Sequence, residues 1–251
     1  MRLVITKSDE ESARLAAGCI AEVVNEKRDS LLGFATGSTP EPVYAQLVAM
    51  CARGEVDFSG VRTVNLDEYV GLNAEDPHSY MYYMRKNLFD KAGIDLSRVT
   101  IPRGDADPEE EVRRLNAFSD KNNIDIQLLG VGVNGHIGFN EPCDCFYNKY
   151  HIVTLTEKTK KSNSRMFSRM EDVPERAITM GVGDIMRAKR IVFLANGIEK
   201  LDAMKAILEP RDVTPQIQGT ILKFHQDCKI IIDKVLAELI NPAPEVEVSY
   251  T

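Results

Sequence analysis

The amino-acid sequence has little of what marks an exported, membrane-spanning or nucleic-acid-binding protein. Its first residues, MRLVITKSDEE, contain no apolar segment of a signal peptide, and its longest apolar runs, such as IVFLA, fall far short of the roughly 20 residues that cross a membrane. Lysine and arginine form no long run, and the formal net charge is -7. We therefore expect a cytoplasmic protein with no membrane or nucleic-acid partner, in which an anionic ligand needs a local cationic site.

Cysteine is also scarce, and its pattern predicts free thiols and no metal site. The five cysteines are scattered, apart from Cys143 and Cys145. Thiols normally stay free in the reducing compartment that the missing export signal implies. The C-x-C spacing, even with the nearby His151, does not match a usual zinc pattern, and there is no second cysteine pair.

The order of apolar and amphipathic segments predicts an α/β fold. Short apolar runs alternate with segments whose apolar residues recur with a period near 3.6, among them residues 12–24, the stretch after Pro40, and residues 112–118. This alternation is typical of an open, mostly parallel sheet with helices on both faces. The candidate strands are RLVIT, SLLGFAT, VRTVNL, IDIQLLGVG, HIVTLT, RIVFLAN and KIIID. Since no repeat, low-complexity segment or long linker divides the chain, we expect a single domain over residues 1–251.

One segment is unusually polar for its position. The sequence EKTKKSNSRMFSRMEDV, residues 157–173, fits either a solvated surface helix or a mobile lid over a site. Lids are weakly packed by necessity, which favours polar composition. With its flanking residues, the lid would span about 151–180.

Ligands of open α/β sheets bind beyond the carboxyl ends of the strands, and three predicted strands end in polar clusters. The first cluster consists of Thr36, Gly37, Ser38 and Thr39, followed by Pro40 at a position that suits the start of a helix. Ser38 or Thr39 as a helix cap, with exposed N–H groups, would form an anion site. An ordinary capped helix start explains the same residues, and the G-K-[ST] ending of a P-loop is absent.

The second cluster is the acidic pair Asp67 and Glu68, which follows the apolar strand VRTVNL. A partly desolvated carboxylate at the end of a strand can have a raised pKa and act as a general base. Because adjacent residues of an extended chain point to opposite sides, we expect only one of the two acids to enter the crevice. Taken alone, the pair is more often an ordinary surface feature.

The third cluster lies in LLGVGVNGHIGFNEP, residues 128–142, where a buried strand breaks into glycines and then presents His136 and Glu141. The glycines permit tight turns and close approach of a ligand to the backbone. Of the four histidines, His136 alone occupies such a loop. An imidazole five residues before a carboxylate on a glycine-rich strand exit indicates proton-transfer chemistry.

With these clusters in view, the sequence resembles the glucosamine-6-phosphate deaminase (isomerase) family. ATGSTP, NLDEYVGL, LLGVGVNGHIGFNEP, NSRMF and AITMGVGDIM occur in that family's order with similar spacing, and the resemblance covers essentially the whole chain. It implies a Rossmann-like α/β fold and a cytoplasmic enzyme of amino-sugar catabolism that needs no cofactor. That enzyme would convert glucosamine 6-phosphate and water to fructose 6-phosphate and ammonia, as a monomer or a homo-oligomer.

The resemblance assigns the substrate phosphate to the loop of residues 36–39, helped by Arg165 in NSRMF and Lys200 in GIEKLDA. N–H groups at a helix start together with two cations suit a dianion. Without the resemblance, either cation would be taken as an ordinary solvated charge.

The resemblance also implies a role for each acid and for the histidine. Asp67 matches the general base that moves a proton from C2 to C1 of the sugar, and Glu68 matches an adjacent acid of later steps. His136 matches the group that passes a proton to or from the ring oxygen, and Glu141 matches the carboxylate that supports it. A carboxylate beside an imidazole fixes one tautomer and stabilises the cation.

Two departures from the family pattern affect these roles. Many members carry aspartate where this chain has Asn134, two residues before His136, and an amide stabilises an imidazolium less than a carboxylate does. Some members are hexamers activated by N-acetylglucosamine 6-phosphate through an Arg-x-Lys-Thr run. The matching run here is HIVT, residues 151–154, so we expect no such activation, because two cations are missing.

Other functions remain open on the sequence alone. Galactosamine 6-phosphate is a possible substrate, because no residue identified above reads the orientation of the C4 hydroxyl. The related 6-phosphogluconolactonases share the fold, but their loop continues toward a Ser-Leu-Phe-Pro ending where this chain has IGFNEP. A non-catalytic sugar-phosphate sensor, with Asn134 marking a decayed site, is disfavoured by the intact Asp67, His136 and Glu141.

Overall fold

Eight parallel strands form the main sheet of the computed structural model, which describes residues 1–164, 167 and 169–251, without the side chain of Ser162. The described residues form eleven strands in two sheets, which are β1 (Arg2–Thr6), β2 (Leu31–Phe34), β3 (Arg62–Asn65), β4 (Asp67–Tyr69), β5 (Val99–Thr100), β6 (Ile126–Gly130), β7 (His151–Thr154), β8 (Arg176–Thr179), β9 (Arg190–Ala195), β10 (Cys228–Asp233) and β11 (Glu247–Tyr250). The main sheet has the order β11-β1-β10-β9-β6-β2-β3-β5. The mostly parallel α/β fold predicted from the sequence is thereby confirmed.

Helices cover both faces of this sheet. They are α1 (Asp9–Glu26), α2 (Glu41–Ala52), α3 (Tyr80–Met84), α4 (Asp90–Ala92), α5 (Pro108–Lys121), α6 (Glu157–Asn163), α7 (Val182–Met186), α8 (Leu201–Leu208) and α9 (Lys234–Ala237), with a π-helical turn joining α3 to α4. The start of α1 shows why the chain turns helical at that point. Ser8 accepts a hydrogen bond from the Glu11 N–H, and the Glu11 carboxylate accepts one from the Lys7 N–H, so orphan N–H groups around the first turn are satisfied.

Alternation along the strands divides the core into two layers. In β9, Ile191 and Phe193 pack into the layer under α5, α7 and α8, whereas Val192 and Leu194 pack into the layer under α1 and α2. Successive side chains of a strand point to opposite faces, so a strand that is apolar throughout must be covered on both sides. The predicted strand RIVFLAN therefore belongs in the middle of the sheet.

A second sheet of three antiparallel strands, in the order β4-β8-β7, stands above the carboxyl edge of the first. One residue, Leu66, separates β3 from β4, so the chain passes directly from one sheet to the other. In the second sheet Asp67 lies opposite Thr179. An apolar cluster that includes Tyr69, Tyr80 and Phe139 packs beside it.

The placement of one predicted strand was wrong. HIVTLT forms β7, but it pairs antiparallel with β8 and has no partner in the parallel sheet. Its residues are half-buried or exposed, whereas a strand inside the parallel sheet is buried on both faces. The main sheet instead gains the short edge strand β5 and the exposed edge strand β11, whose sequences carry no continuous apolar run.

The polar segment predicted to be a lid contains regular structure at both ends. Residues 151–180 include β7, α6, a 3-10 turn at Met170–Asp172 and β8. Neither the single domain nor the lid is tested by this arrangement, and both stay predictions. Within the described ranges, no helix has the length and apolar character needed to span a bilayer.

Candidate active site

A cavity of about 160 Å³ opens at the carboxyl ends of four adjacent strands, β9, β6, β2 and β3. One water molecule needs about 10–15 Å³ of such space, so the cavity accommodates a small molecule. The order of the strands reverses here. The strands that follow β2, which are β3 and β5, lie on one side of the cavity, and the strands that follow β6, which are β9 and β10, lie on the other. Ligands of open α/β sheets bind at such a reversal of strand order.

The loop after β2 forms one wall of the cavity. Thr36, Gly37, Ser38 and Thr39 all line it, as the sequence predicted. The hydroxyl groups of two tyrosines, one buried and one half-buried, hold this loop by hydrogen bonds to its backbone carbonyls. The Tyr44 hydroxyl donates to the Ala35 carbonyl and the Tyr83 hydroxyl donates to the Gly37 carbonyl at 2.7 Å.

The expected side-chain cap of the following helix was wrong. Helix α2 begins at Glu41, with Pro40 at the cap position and no side-chain hydrogen bond to the first turn. Proline supplies a fixed φ but no capping oxygen. The hydroxyl groups of Ser38 and Thr39 therefore lie before the helix, at the cavity wall, rather than on its first N–H groups.

Asp67 lies at the cavity wall from the side of the second sheet. Its side chain is 6% exposed, and no described residue donates a hydrogen bond to its carboxylate. Burial, and after it the charge of Glu68, raises the pKa of Asp67 to about 8. A carboxyl group with a pKa near neutrality can accept and return a proton at physiological pH.

Glu68 points away from the cavity, as the alternation of an extended strand requires. One oxygen accepts a hydrogen bond from the Tyr69 N–H at 2.9 Å. The other accepts from the N–H groups of Tyr80 at 2.8 Å and Met81 at 3.1 Å, at the start of α3. Burial raises the pKa of Glu68 to about 7, although these three N–H groups act to lower it. Its carboxylate joins β4 to α3, and Tyr80 of that helix lines the cavity.

His136 owes its position to a neighbouring glycine. A Cβ atom on Gly132 would lie 2.3 Å from the imidazole, so only glycine leaves room for the ring. Gly138 is favoured for a different reason, its positive φ of 57°, and an added Cβ there would lie 3.0 Å from Thr179 Oγ1. The turn is closed by the Gly132 N–H, which donates to the His136 carbonyl at 2.9 Å.

Glu141 faces the imidazole from the end of the same loop. Its Oε1 lies 3.6 Å from His136 Nδ1, an ion-pair distance somewhat longer than a hydrogen bond. Burial alone would raise the pKa of Glu141. His136, followed by hydrogen bonds from Thr159 and Asn134, holds that pKa below its usual value. The sequence-based pairing of these two residues is thus present as a geometric arrangement, with the carboxylate kept ionised.

Asn134 contacts the glutamate and not the imidazole. Its Nδ2 donates to Glu141 Oε2 at 2.8 Å, and its Oδ1 accepts from the His136 N–H at 3.3 Å. An aspartate at this position would place a second carboxylate against Glu141. The amide therefore orients the supporting carboxylate, a contribution that sequence reasoning, which considered only charge beside the histidine, did not identify.

The cationic side of the cavity is partly as expected. Lys200, at the end of a 3-10 turn after β9, lines it. Arg165 lies outside the described residues, so its predicted phosphate contact stays a prediction. Lys158, Thr159 and Asn163 of α6 also line the cavity, although the sequence predicted only a possible lid here and none of these three as site residues. Their signal was the capping residue Thr156 before a short polar helix, which predicts a helix but not the direction it faces.

The part of the chain that the structure describes contains no group of three histidine, cysteine, aspartate or glutamate residues arranged to hold a metal ion. Cys143 and Cys145 are free thiols.

Fold and cavity together define an α/β protein that binds a small molecule at the carboxyl edge of a parallel sheet, beside groups able to move protons. Residues 7–220 match the family of glucosamine-6-phosphate isomerases and 6-phosphogluconolactonases. The chain belongs to this family.

Curated and solved relatives match nearly the whole length of the chain. A protein of a Thermoanaerobacter species named glucosamine-6-phosphate deaminase is 47% identical over 252 residues, which cover 99% of each chain. A solved structure described as a monomeric glucosamine-6-phosphate deaminase superposes with a TM-score of 0.91 at 41% identity, covering 95% of this chain and 100% of the other. A 6-phosphogluconolactonase from Trypanosoma cruzi, at 18% identity and a TM-score of 0.72 over 94% of this chain and 96% of the other, shares the fold alone.

Proposed function

We propose that this protein acts as a glucosamine-6-phosphate deaminase, converting glucosamine 6-phosphate and water to fructose 6-phosphate and ammonia by aldose–ketose isomerisation and deamination. The observation that carries the proposal is the meeting of Asp67 and His136 in one small cavity whose far wall is the loop of residues 36–39. Relatives that bear this name at 43% and 47% identity support it.

The phosphate is held between the β2 loop and Lys200. The loop supplies hydroxyl and N–H donors, and the ammonium group supplies charge. Because Tyr44 and Tyr83 already fix the loop, little ordering is needed when the anion binds. Arg165 is the second cation of this proposal.

Ring opening falls to His136. It delivers a proton to the ring oxygen as the bond between C1 and that oxygen breaks, while the C1 hydroxyl loses its proton to water, which gives the open-chain aldehyde. Glu141 stabilises the charged form of the imidazole from 3.6 Å, and Asn134 donates a hydrogen bond to the other oxygen of that carboxylate.

Asp67 then moves one proton within the open-chain sugar. Its carboxylate takes the proton from C2 while the aldehyde oxygen gains a proton from water, which gives an enolamine, and it then returns its proton to C1, which leaves a protonated imine at C2. Water adds to this imine, and ammonia leaves as the ketone of fructose 6-phosphate forms. Because the carboxylate of Glu68 is engaged by three N–H groups, we propose for it a positioning role, which holds Asp67 in place and raises its pKa.

The proposal is tested by incubating the protein separately with glucosamine 6-phosphate, galactosamine 6-phosphate and 6-phosphogluconolactone while following ammonia and the product sugar or acid. We expect ammonia and fructose 6-phosphate from the first compound. Ammonia from the galactosamine compound alone would reassign the substrate. Hydrolysis of the lactone with no ammonia from either aminosugar would make the protein a lactonase, and tight binding without turnover would make it a sensor.

The phosphate contact makes a separate prediction. Replacing Lys200 by alanine is expected to raise KM for glucosamine 6-phosphate by about tenfold to a hundredfold with kcat within a few-fold, since a hydrogen bond to a charged group contributes roughly 1.5–3 kcal/mol. Steady-state kinetics check this, with Lys91→Ala as the control because Lys91 is exposed and distant from the cavity. An unchanged KM, or a loss confined to kcat, would contradict the phosphate role.

A further inference from the structure

Helix α6 touches the ring-opening pair through one buried hydroxyl group. Thr159 is 3% exposed, and its Oγ1 donates a hydrogen bond to Glu141 Oε1, the oxygen that faces His136. The hydroxyl of Thr156 in turn donates to Thr159 Oγ1 at 3.2 Å. A chain of hydroxyl groups therefore runs from the start of the helix to the carboxylate, and each bond polarises the next.

The remaining residues of α6 make few contacts that would hold it in place. Glu157, Lys158 and Lys161 are exposed, so Thr159 is the buried side chain among the described residues of the helix. At its far end, Asn163 Nδ2 donates to the Tyr69 hydroxyl at 2.8 Å. Two polar anchors, one on Glu141 and one on Tyr69 two residues beyond Asp67, thus fix α6 over the cavity.

We propose that Thr159 is a positioning residue, which orients Glu141 toward His136 and makes the ring-opening pair complete only when α6 lies over the cavity. The inference rests on the proposed deaminase function. Lys158, the neighbour of Thr159, lines the cavity, so an anionic ligand attracts the same short helix that carries the hydroxyl. Substrate binding and completion of the pair are coupled through adjacent residues.

The orientation matters because a carboxylate that loses one donor can rotate away from the imidazole. Asn134 donates a hydrogen bond to Glu141 Oε2, and Thr159 donates one to Glu141 Oε1. The position of Oε1, the oxygen that faces His136, therefore depends on Thr159. The groups that face Glu141 are His136 and Asn134 from its own loop and Thr159 from α6, while Gln218 binds its backbone carbonyl at 3.3 Å. Among the described residues, α6 contributes a donor that no other element replaces.

The test compares Thr159→Val with Thr159→Ser. Valine keeps the shape and removes the hydroxyl, whereas serine keeps the hydroxyl and removes a methyl group. With glucosamine 6-phosphate as substrate, we expect Thr159→Val to lower kcat about tenfold with KM within about twofold. Thr159→Ser should remain within about threefold of the wild type. Adding Thr159→Val to a Glu141→Gln protein should cause no further loss, because the hydroxyl acts through that carboxylate.

Thr63→Val is the matched control, since Thr63 is a fully buried threonine of β3 whose hydroxyl has no partner among the described residues. It should leave kcat unchanged, and both valine variants should still unfold in one cooperative transition above the assay temperature, which shows that a lower rate does not reflect a lost fold. A wild-type rate in Thr159→Val would overturn the inference while leaving the deaminase proposal intact. The inference would also be overturned if Thr159→Ser and Thr159→Val lowered kcat equally. It would be overturned too if the losses in kcat from Thr159→Val and Glu141→Gln were fully additive in the double variant. A wild-type protein that releases no ammonia would instead overturn the deaminase proposal.

Discussion

Replacing Asp67 by asparagine is expected to lower kcat by about a thousandfold, because the variant keeps the shape of the side chain but cannot accept the C2 proton. A positioned general base contributes roughly 10²–10⁴-fold to a rate. The carboxyl group is the one acid among the described residues lining the cavity, so no neighbour takes over its function. Steady-state release of ammonia measures the loss, and inhibition by inorganic phosphate should persist, since the proposed phosphate contacts are the β2 loop and Lys200 and not Asp67.

Asp29→Asn is the matched control for this prediction, because Asp29 is an exposed aspartate far from the cavity. It should have wild-type kcat. A further readout is exchange of a substrate proton with deuterated water at C1 of fructose 6-phosphate, which should disappear in Asp67→Asn. Near-normal turnover or exchange in that variant would show that another group is the base.

The raised pKa of Asp67 adds a pH dependence with a defined sign. The base must be ionised, so kcat/KM of the wild type should rise with pH up to about 8 and then level off. The free energy of unfolding should instead fall as pH rises. The carboxyl has its ordinary pKa of 3.8 when unfolded and about 8 when folded, so the native state holds an extra proton between these values and loses stability as pH rises through that window. Asp67→Asn should therefore melt above the wild type at pH 8 and equal to it near pH 3.

Replacing His136 by glutamine is the second large expected effect, a fall in kcat of about a hundredfold. Glutamine retains a hydrogen-bonding side chain but cannot carry a proton to the ring oxygen, and general acid catalysis contributes roughly 10²–10⁴-fold. Because ring opening precedes proton transfer between C2 and C1, and sugars also open slowly in water, turnover should be slowed and not abolished. Ammonia release under saturating substrate measures the change.

Deuterium exchange separates His136→Gln from Asp67→Asn. Exchange at C1 of fructose 6-phosphate should continue in the histidine variant, limited by the supply of open-chain sugar, whereas it stops in the aspartate variant. His151→Gln serves as the control, since His151 stacks on Tyr147 with ring centroids 4.1 Å apart and does not line the cavity. Complete loss of exchange in His136→Gln would place the imidazole in the proton-transfer step instead.

The sequence predicts the strands best where both faces are buried. RIVFLAN and IDIQLLGVG are apolar at nearly every position because each lies between two helical layers, and both form central strands. HIVTLT looks similar over six residues, but its pairing partner is β8, and a local pattern carries no information about the partner. The same limit explains β11, an exposed edge strand that is defined only by its neighbour β1.

The sequence predicts those contacts of the candidate site that join residues within one short motif. The pairing of His136 with Glu141 and the separation of Asp67 from Glu68 follow from short spacing and from strand alternation. The contact of Thr159 with Glu141 joins residues 18 positions apart in different elements. No spacing rule covers such a contact, because it depends on how α6 lies across the cavity.

The two sheets divide the residues of the site into two groups. β4 bears Asp67, and β7 runs through two residues into α6, so the second sheet carries both the base and the helix above it, with β8 between them. The β2 loop and Lys200 follow strands of the main sheet. Leu66 connects the two sheets at the wall of the cavity. Any change in the angle between the sheets would therefore move Asp67 and α6 together relative to the proposed phosphate site.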